Sequence, residues 1–322
     1  MAVCIRPDQS VVRGGSAEVV VEDIINKNFL PVTAKRQKIS GARPYFHDDD
    51  VPQVLARLEE IIRGGRLIFG QNTREFEESF RQYVGVEHAV SVSSCTAALE
   101  ITMRFFGVQG REVIVPTNTF AACVAAIKYA GGIPVLADMD PETFCLETAD
   151  VLSRINENTA GVIVVHIAGL IDPDIDGLRE VCRERGLFLI EDPSHAHGAS
   201  IDDRRAGSLA DAACFSFYPT KVMTTGTGGM ITTNNPDLAE YARSLRHHGQ
   251  GKSLEQIVNF GSDWCMARSA PHWASFSCSD WKKMSRIEIA WSSGIDADCL
   301  RSIGSRRRFI PRTCATPITN FR

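Results

Sequence analysis

The chain has 322 residues, 44% of them hydrophobic, and a formal net charge of −4. That length fits about two domains with a sizeable core, and the charge gives no basic field for nucleic acid. No run reaches the roughly 18 apolar residues of a membrane span, and the N-terminus lacks the basic-then-apolar order of a signal peptide, so a cytoplasmic protein with a small-molecule partner is expected.

Residues 1–44 carry little periodicity and read as an N-terminal extension, with a basic patch of Lys35, Arg36 and Lys38 beside Ser40 and Gly41. From about residue 50 to residue 250 short β-rich runs alternate with helical patterns. Apolar spacing predicts helices over Val51–Ile62, Thr73–Tyr83, Thr96–Phe106, Ala121–Ala130, Ile175–Arg185 and Pro236–Arg246. Strands are predicted over Ala89–Val92, Glu112–Val115, Pro134–Ala137, Gly161–His166, Leu187–Glu191, Ala213–Phe217 and Gly229–Thr232. Strands separated by helix-length crossovers imply an α/β fold, a largely parallel sheet sandwiched by helices, whose ligands collect at the carboxyl ends of strands. The ten cysteines contain no Cys-x-x-Cys pair and lie among apolar neighbours, which predicts free thiols in a reducing compartment and no metal site.

Three constellations fall at predicted strand ends. Val-Ser-Val-Ser-Ser-Cys-Thr-Ala-Ala-Leu at 90–99 runs from a strand into a helix start. Free N–H groups and hydroxyls there suit an anion, although simple N-capping by serine explains the segment equally well. Glu-Asp-Pro-Ser-His-Ala-His-Gly at 191–198 ends an apolar run with an acid. Phe-Ser-Phe-Tyr-Pro-Thr-Lys at 215–221 ends in Lys221 and is followed by Thr-Gly-Thr-Gly-Gly at 225–229. A lysine amine attacks a carbonyl only once it has lost its proton, which burial or a neighbouring cation promotes. Acid and lysine on separate strand ends can converge on one cofactor.

Together these segments resemble the sugar aminotransferases of the DegT/DnrJ/EryC1/StrS family. Gly-Gln-Asn-Thr-Arg-Glu-Phe-Glu at 70–77, Glu-Val-Ile-Val-Pro-Thr-Asn-Thr-Phe at 112–120, Gly-Gly-Ile-Pro-Val-Leu-Ala-Asp-Met-Asp at 131–140 and Leu-Arg-His-His-Gly at 245–249 add to the likeness. The resemblance implies a pyridoxal 5'-phosphate enzyme of the aspartate aminotransferase fold, with a seven-stranded large domain over 45–250 and a small-domain remnant over 251–322. Lys221 would hold the cofactor as a Schiff base and later shuttle a proton, and Asp192 would keep the pyridine nitrogen protonated so that the ring acts as an electron sink. His195 stands near the ring oxygen. Phe120 matches a residue that stacks on the ring, core packing being its alternative. Cys95, Thr96 and Ser216 would contact the phosphate, with Cys95 standing where many relatives have glycine. The family moves an amino group from glutamate or glutamine to a keto group on a nucleotide-linked sugar or a keto-cyclitol, commonly as homodimers. Relatives that dehydrate instead replace the lysine with histidine, so Lys221 favours transamination over a dehydratase or lyase. A truncated remnant or a cofactor-binding regulatory protein is the non-enzymatic alternative. His247, His248 and Asp48 to Asp50 read as solvated faces.

The likeness breaks after Trp264. All four tryptophans fall between 264 and 291, and four cysteines follow 264. Met and Trp each have a single codon, so a reading one base earlier is partly forced: Met266-Ala267 must give Gly, His272-Trp273 Leu, Trp273-Ala274 Gly and Asp280-Trp281 Leu. Permitted codons then allow Gly-Glu-Ile-Ser-Ala-Ala-Leu-Gly-Ile-Val-Gln-Leu-Gln-Arg-Leu-Glu-Glu, close to the family's helix at this place. A frameshift near residues 264–266, in the gene or its reading, is the expectation, and it would leave the small domain aberrant.

Overall fold

The computed structural model describes residues 48–267 except 252 and 254. The expectations for residues 1–44 and for the chain beyond 267 lie outside the described residues.

Among the described residues, nine strands form two sheets. The larger holds β1 (His88–Val92), β2 (Glu112–Pro116), β3 (Ile133–Ala137), β4 (Thr159–Val165), β5 (Phe188–Asp192), β8 (Ala212–Ser216) and β9 (Gly229–Thr233), in the order β1-β9-β8-β5-β4-β2-β3. A two-residue hairpin, β6 (Ser200–Ile201) and β7 (Arg204–Arg205), stands apart. Neighbours from β3 through β8 are parallel, while β9 runs antiparallel to both β1 and β8. The sheet is therefore the largely parallel, seven-stranded one expected.

Helices cover both faces because alternate residues of each strand point opposite ways. Val113, Val115, Ile163 and Val165 pack into one core with residues of α3 (Cys95–Phe105), α4 (Ala121–Tyr129) and α7 (Pro236–Leu245). Ile114, Val162 and Val164 enter another with α5 (Thr148–Arg154) and α6 (Ile175–Arg185). In β4 all seven residues are buried, the continuous apolar run of a central parallel strand. At the edge, β3 leaves Ile133 and Leu136 exposed.

The remaining helices are α1 (Asp50–Gly64) and α2 (Gln71–Val84). Phe76, Phe80 and Val84 recur every four residues on α2 and so share one stripe. That stripe meets β8 edge-on, with Phe80 at 4.9 Å from Phe215 and 5.5 Å from Phe217 between ring centroids.

Predicted boundaries shift by at most two residues, and two features differ in kind. Helix α5 has seven residues, too few to display a period. Lys221 does not sit at a strand end: β8 stops at Ser216 and the lysine lies five residues on, in a bend where its N–H donates to the Tyr218 carbonyl at 2.9 Å. Pro219, which has no N–H to offer a strand partner, falls inside that segment.

Candidate active site

The site is built where β1, β5 and β8 end. At the end of β1 the Ser94 hydroxyl accepts the Ala97 N–H at 3.1 Å and caps α3. The first N–H groups of α3, on Cys95 and Thr96, precede any acceptor the helix itself supplies. Gly229 presses on this turn from β9: a Cβ there would lie 2.4 Å from the Ser94 carbonyl carbon. Thr227 adds a hydroxyl that donates to the Ser93 carbonyl at 3.3 Å, and Ser93 N–H in turn donates to the Trp264 carbonyl at 2.8 Å.

Asp192 closes β5 and is 6% exposed. Its Oδ1 accepts the Ser194 N–H at 3.1 Å, and its Oδ2 accepts the Cys123 thiol at 3.1 Å. The Cys95 sulfur touches Oδ1 at 4.0 Å and donates to the Cys214 carbonyl at 3.2 Å. None of these partners is a cation. A buried carboxylate held by one backbone N–H and a weak thiol donor keeps capacity for a stronger, positively charged one.

His195 is solvent-exposed and feels both neighbours. Partial burial and the Lys221 ammonium hold its imidazole below the usual histidine range, while Asp192 pulls the other way. His197 is buried between the Phe215 and Phe217 rings, and its imidazole is pushed down to about 3 by burial first and by Lys221 second. Neither of its ring nitrogens completes a hydrogen bond among the described residues, although the Ser216 backbone lies close enough to favour the cation slightly.

Of the sequence-derived residues, Cys95 and His195 are the ones whose interaction with Asp192 is direct. Cys95 touches it directly, and Thr96 follows on the same helix turn. Phe120 stands at the N-cap of α4, the helix that brings Cys123 to Asp192, and is 79% exposed. Core packing for Phe120 is therefore corrected: its ring faces out beside the site. Ser216 ends β8 and is 8% exposed, with its hydroxyl accepting the Tyr218 N–H at 3.4 Å. Lys221, half-buried, is close enough to shift both histidines.

Sequence reasoning missed Cys123, Ser194 and His197. The histidine was visible in the 191–198 motif, one alternate position after His195, whereas nothing in the run Ala121 to Tyr129 sets Cys123 apart from core packing. Among the described residues, no group of three or more His, Cys, Asp or Glu is arranged to hold a metal ion, and no helix is long and apolar enough to cross a membrane.

The chain is similar to the GDP-perosamine synthase of Caulobacter vibrioides, at 41% identity over 66% of this chain and 56% of that protein. It also matches the L-glutamine:2-deoxy-scyllo-inosose aminotransferase of Streptoalloteichus tenebrarius, at 38% identity over 61% of this chain and 48% of the relative. The chain therefore spans about half the length of these curated relatives. Among solved structures it matches the aminotransferase TlmJ from Streptoalloteichus hindustanus, with a TM-score of 0.72 and 32% identity over 79% of this chain and 70% of that one. The Spr1654 protein of Streptococcus pneumoniae in its PLP form matches with a TM-score of 0.70 and 28% identity, over 77% and 68% of the two chains. Residues 48–267 match the model of the DegT/DnrJ/EryC1/StrS aminotransferase family, and the chain belongs to that family.

Proposed function

We propose that this chain carries the cofactor site of a pyridoxal-phosphate aminotransferase that moves an amino group from glutamate or glutamine to a keto group on a nucleotide-linked sugar or keto-cyclitol. The observation that carries the reading is a buried Asp192 at the end of β5, with no cationic hydrogen-bond partner among the described residues, beside the free N–H groups that open α3 and three residues before His195, which Lys221 is near enough to influence. The residues fit the group: an anion to meet a ring nitrogen, free helix N–H groups to meet a phosphate, an exposed aromatic ring and an amine.

When bound, the cofactor supplies an electron sink for the charge that develops on the substrate carbon. Asp192 would hold the proton on the ring nitrogen through its carboxylate. The Cys95 and Thr96 N–H groups, with the Thr96 and Ser216 hydroxyls, bind the phosphate at the positive end of α3. Phe120 would orient the ring by stacking on it. Lys221 would hold the cofactor's carbonyl carbon through Nζ, the carbonyl oxygen leaving as water, and once released would carry a proton at that same amine. His195, held neutral, offers a ring nitrogen to the cofactor's oxygen. Retention of Lys221 supports transamination over dehydration.

We read the working form as a homodimer; the support is an apolar surface after α7, where Ile257, Val258 and Phe260 are exposed, the last by 95%. We also propose the one-base slip near Trp264, supported by the forced codons and by a family match that stops at residue 267.

Adding pyridoxal phosphate to the full chain tests the central reading. A visible absorbance band that disappears in Lys221→Ala, together with amino transfer from glutamate to a keto-sugar, is expected. A well-folded chain without the band overturns it, and ammonia release without an acceptor replaces transfer with a lyase.

A further inference from the structure

The floor of the site is lined with thiols. Cys95 from α3 and Cys123 from α4 touch the Asp192 carboxylate, and Cys214 from β8 and His195 lie near enough to feel its charge. Only one of the three thiols bonds the carboxylate at normal range. Cys123 donates to Oδ2 at 3.1 Å, and its sulfur accepts the Thr119 hydroxyl at 3.0 Å, so the thiol is fixed from behind and its hydrogen is directed forward. Burial first, and Asp192 second, push this thiol well above its usual range, so it remains a donor throughout the working pH.

We propose that Cys123 is a positioning residue for Asp192: it fixes the carboxylate with a donor too weak to compete with a cofactor ring N–H for the same anion. This rests on the pyridoxal-phosphate reading above. The physics is a matter of donor strength. A hydroxyl in the same place would neutralise more of the carboxylate's charge, lower its affinity for a proton and loosen its hold on a ring nitrogen. An alanine would supply no donor and leave the anion more basic. Serine and alanine have nearly the same volume, so loss of packing affects both substitutions alike. Their difference isolates the hydrogen bond.

The test compares Cys123→Ser with Cys123→Ala in the full chain, first without cofactor. Carbon-13 NMR of labelled aspartate follows the Asp192 carboxyl, its signal assigned by its loss in Asp192→Asn. The expected order of titration midpoints is serine lowest, cysteine between and alanine highest, with the extremes at least about one pH unit apart, a tenfold difference in proton affinity. With pyridoxal phosphate added, the visible band of Cys123→Ser should titrate at higher pH than that of the unsubstituted chain, because a less firmly protonated ring withdraws less charge from the bound amine. In Cys123→Ala the band should stay or move lower. Coincident serine and alanine midpoints, with the visible band present, overturn the role of Cys123 and leave the cofactor reading intact. The expected order without any visible band supports Cys123 as the device that positions Asp192 and overturns the cofactor reading alone.

Discussion

Glu191 and Asp192 are adjacent on β5, both carboxylates and both buried, yet the chain treats them in opposite ways. Glu191 points to one face of the sheet and is fully engaged. Its Oε2 accepts the His166 ring N–H at 3.0 Å and the Gly207 N–H at 2.7 Å, and its Oε1 accepts the Leu209 N–H at 2.7 Å. The histidine is oriented because its Nδ1 accepts the Asp172 N–H at 3.3 Å, which leaves the hydrogen on Nε2. Asp192 points to the other face and meets one backbone N–H and thiols. The two carboxylates teach a distinction: a buried acid whose oxygens both have strong donors ties loops together, and one left short of strong donors has room to meet a ligand.

That contrast predicts unequal losses. Glu191→Ala should strip partners from His166 and two backbone N–H groups, and lower unfolding stability by about 3–5 kcal/mol in denaturant titrations. A loss under about 1 kcal/mol would mean that Glu191 is not the tie described here.

The next largest effect separates the histidines on either side of the same motif. His197 is held neutral down to about pH 3 in the folded chain, while an unfolded histidine gains its proton near 6.5. The unfolded state therefore binds more protons below pH 6.5. Stability is full above that pH and falls as pH drops toward about 3, by up to about 1.4 kcal/mol per unit. His197→Phe should remove that share of the acid slope, read from unfolding midpoints between pH 7 and pH 4. An unchanged slope would show that the buried imidazole is not its source.

Asp192→Asn should act in the reverse sense to Glu191→Ala. Removing an anion with weak partners should leave stability unchanged within about 0.5 kcal/mol or raise it, and it should weaken retention of pyridoxal phosphate at least about tenfold, or 1.4 kcal/mol. Equal loss of stability in both variants would erase the distinction. The smallest effect belongs to Phe120→Ala. With 79% of the residue exposed, stability should hold within about 0.5 kcal/mol, and the cofactor should lose about 0.5–1.5 kcal/mol of binding. Equilibrium dialysis alongside thermal unfolding checks both.

Most of the framework was legible because its signals are local. The strands predicted over Gly161–His166 and Leu187–Glu191 rest on the unbroken apolar runs of residues 161–165 and 187–190, and Ile175–Arg185 carries the period and ends before Gly186, whose φ is +64°. Motif order located Asp192, Lys221 and the α3 turn. What stayed hidden depends on contacts distant in sequence. Cys123 lies 69 positions from Asp192 and reads as one more small apolar residue on its helix. Glu191 carries no signal of its own in the 191–198 motif, because its bonds to Gly207 and Leu209 arise only when the hairpin after it folds back. Phe120 was divided between stacking and core, and only the N-cap geometry of α4 decides which way its ring points.

The antiparallel strand β9 carries a consequence for timing. Val92, at the mouth of the anion turn, pairs with Gly229, and every other strand of the large sheet lies between them in the chain. A ribosome releases β1 and α3 long before it makes the strand that seats their junction. Until β9 emerges, β1 lacks its sheet neighbour, and the Ser94–Cys95 turn lacks the glycine surface it rests on. Long-range pairing of this kind is slow and leaves edges open meanwhile. The Ser94–Cys95 turn is thus among the last parts of the large sheet to be set during synthesis, and a chain that stalls before residue 229 holds the whole strand of Asp192 but no finished turn for the phosphate proposed above.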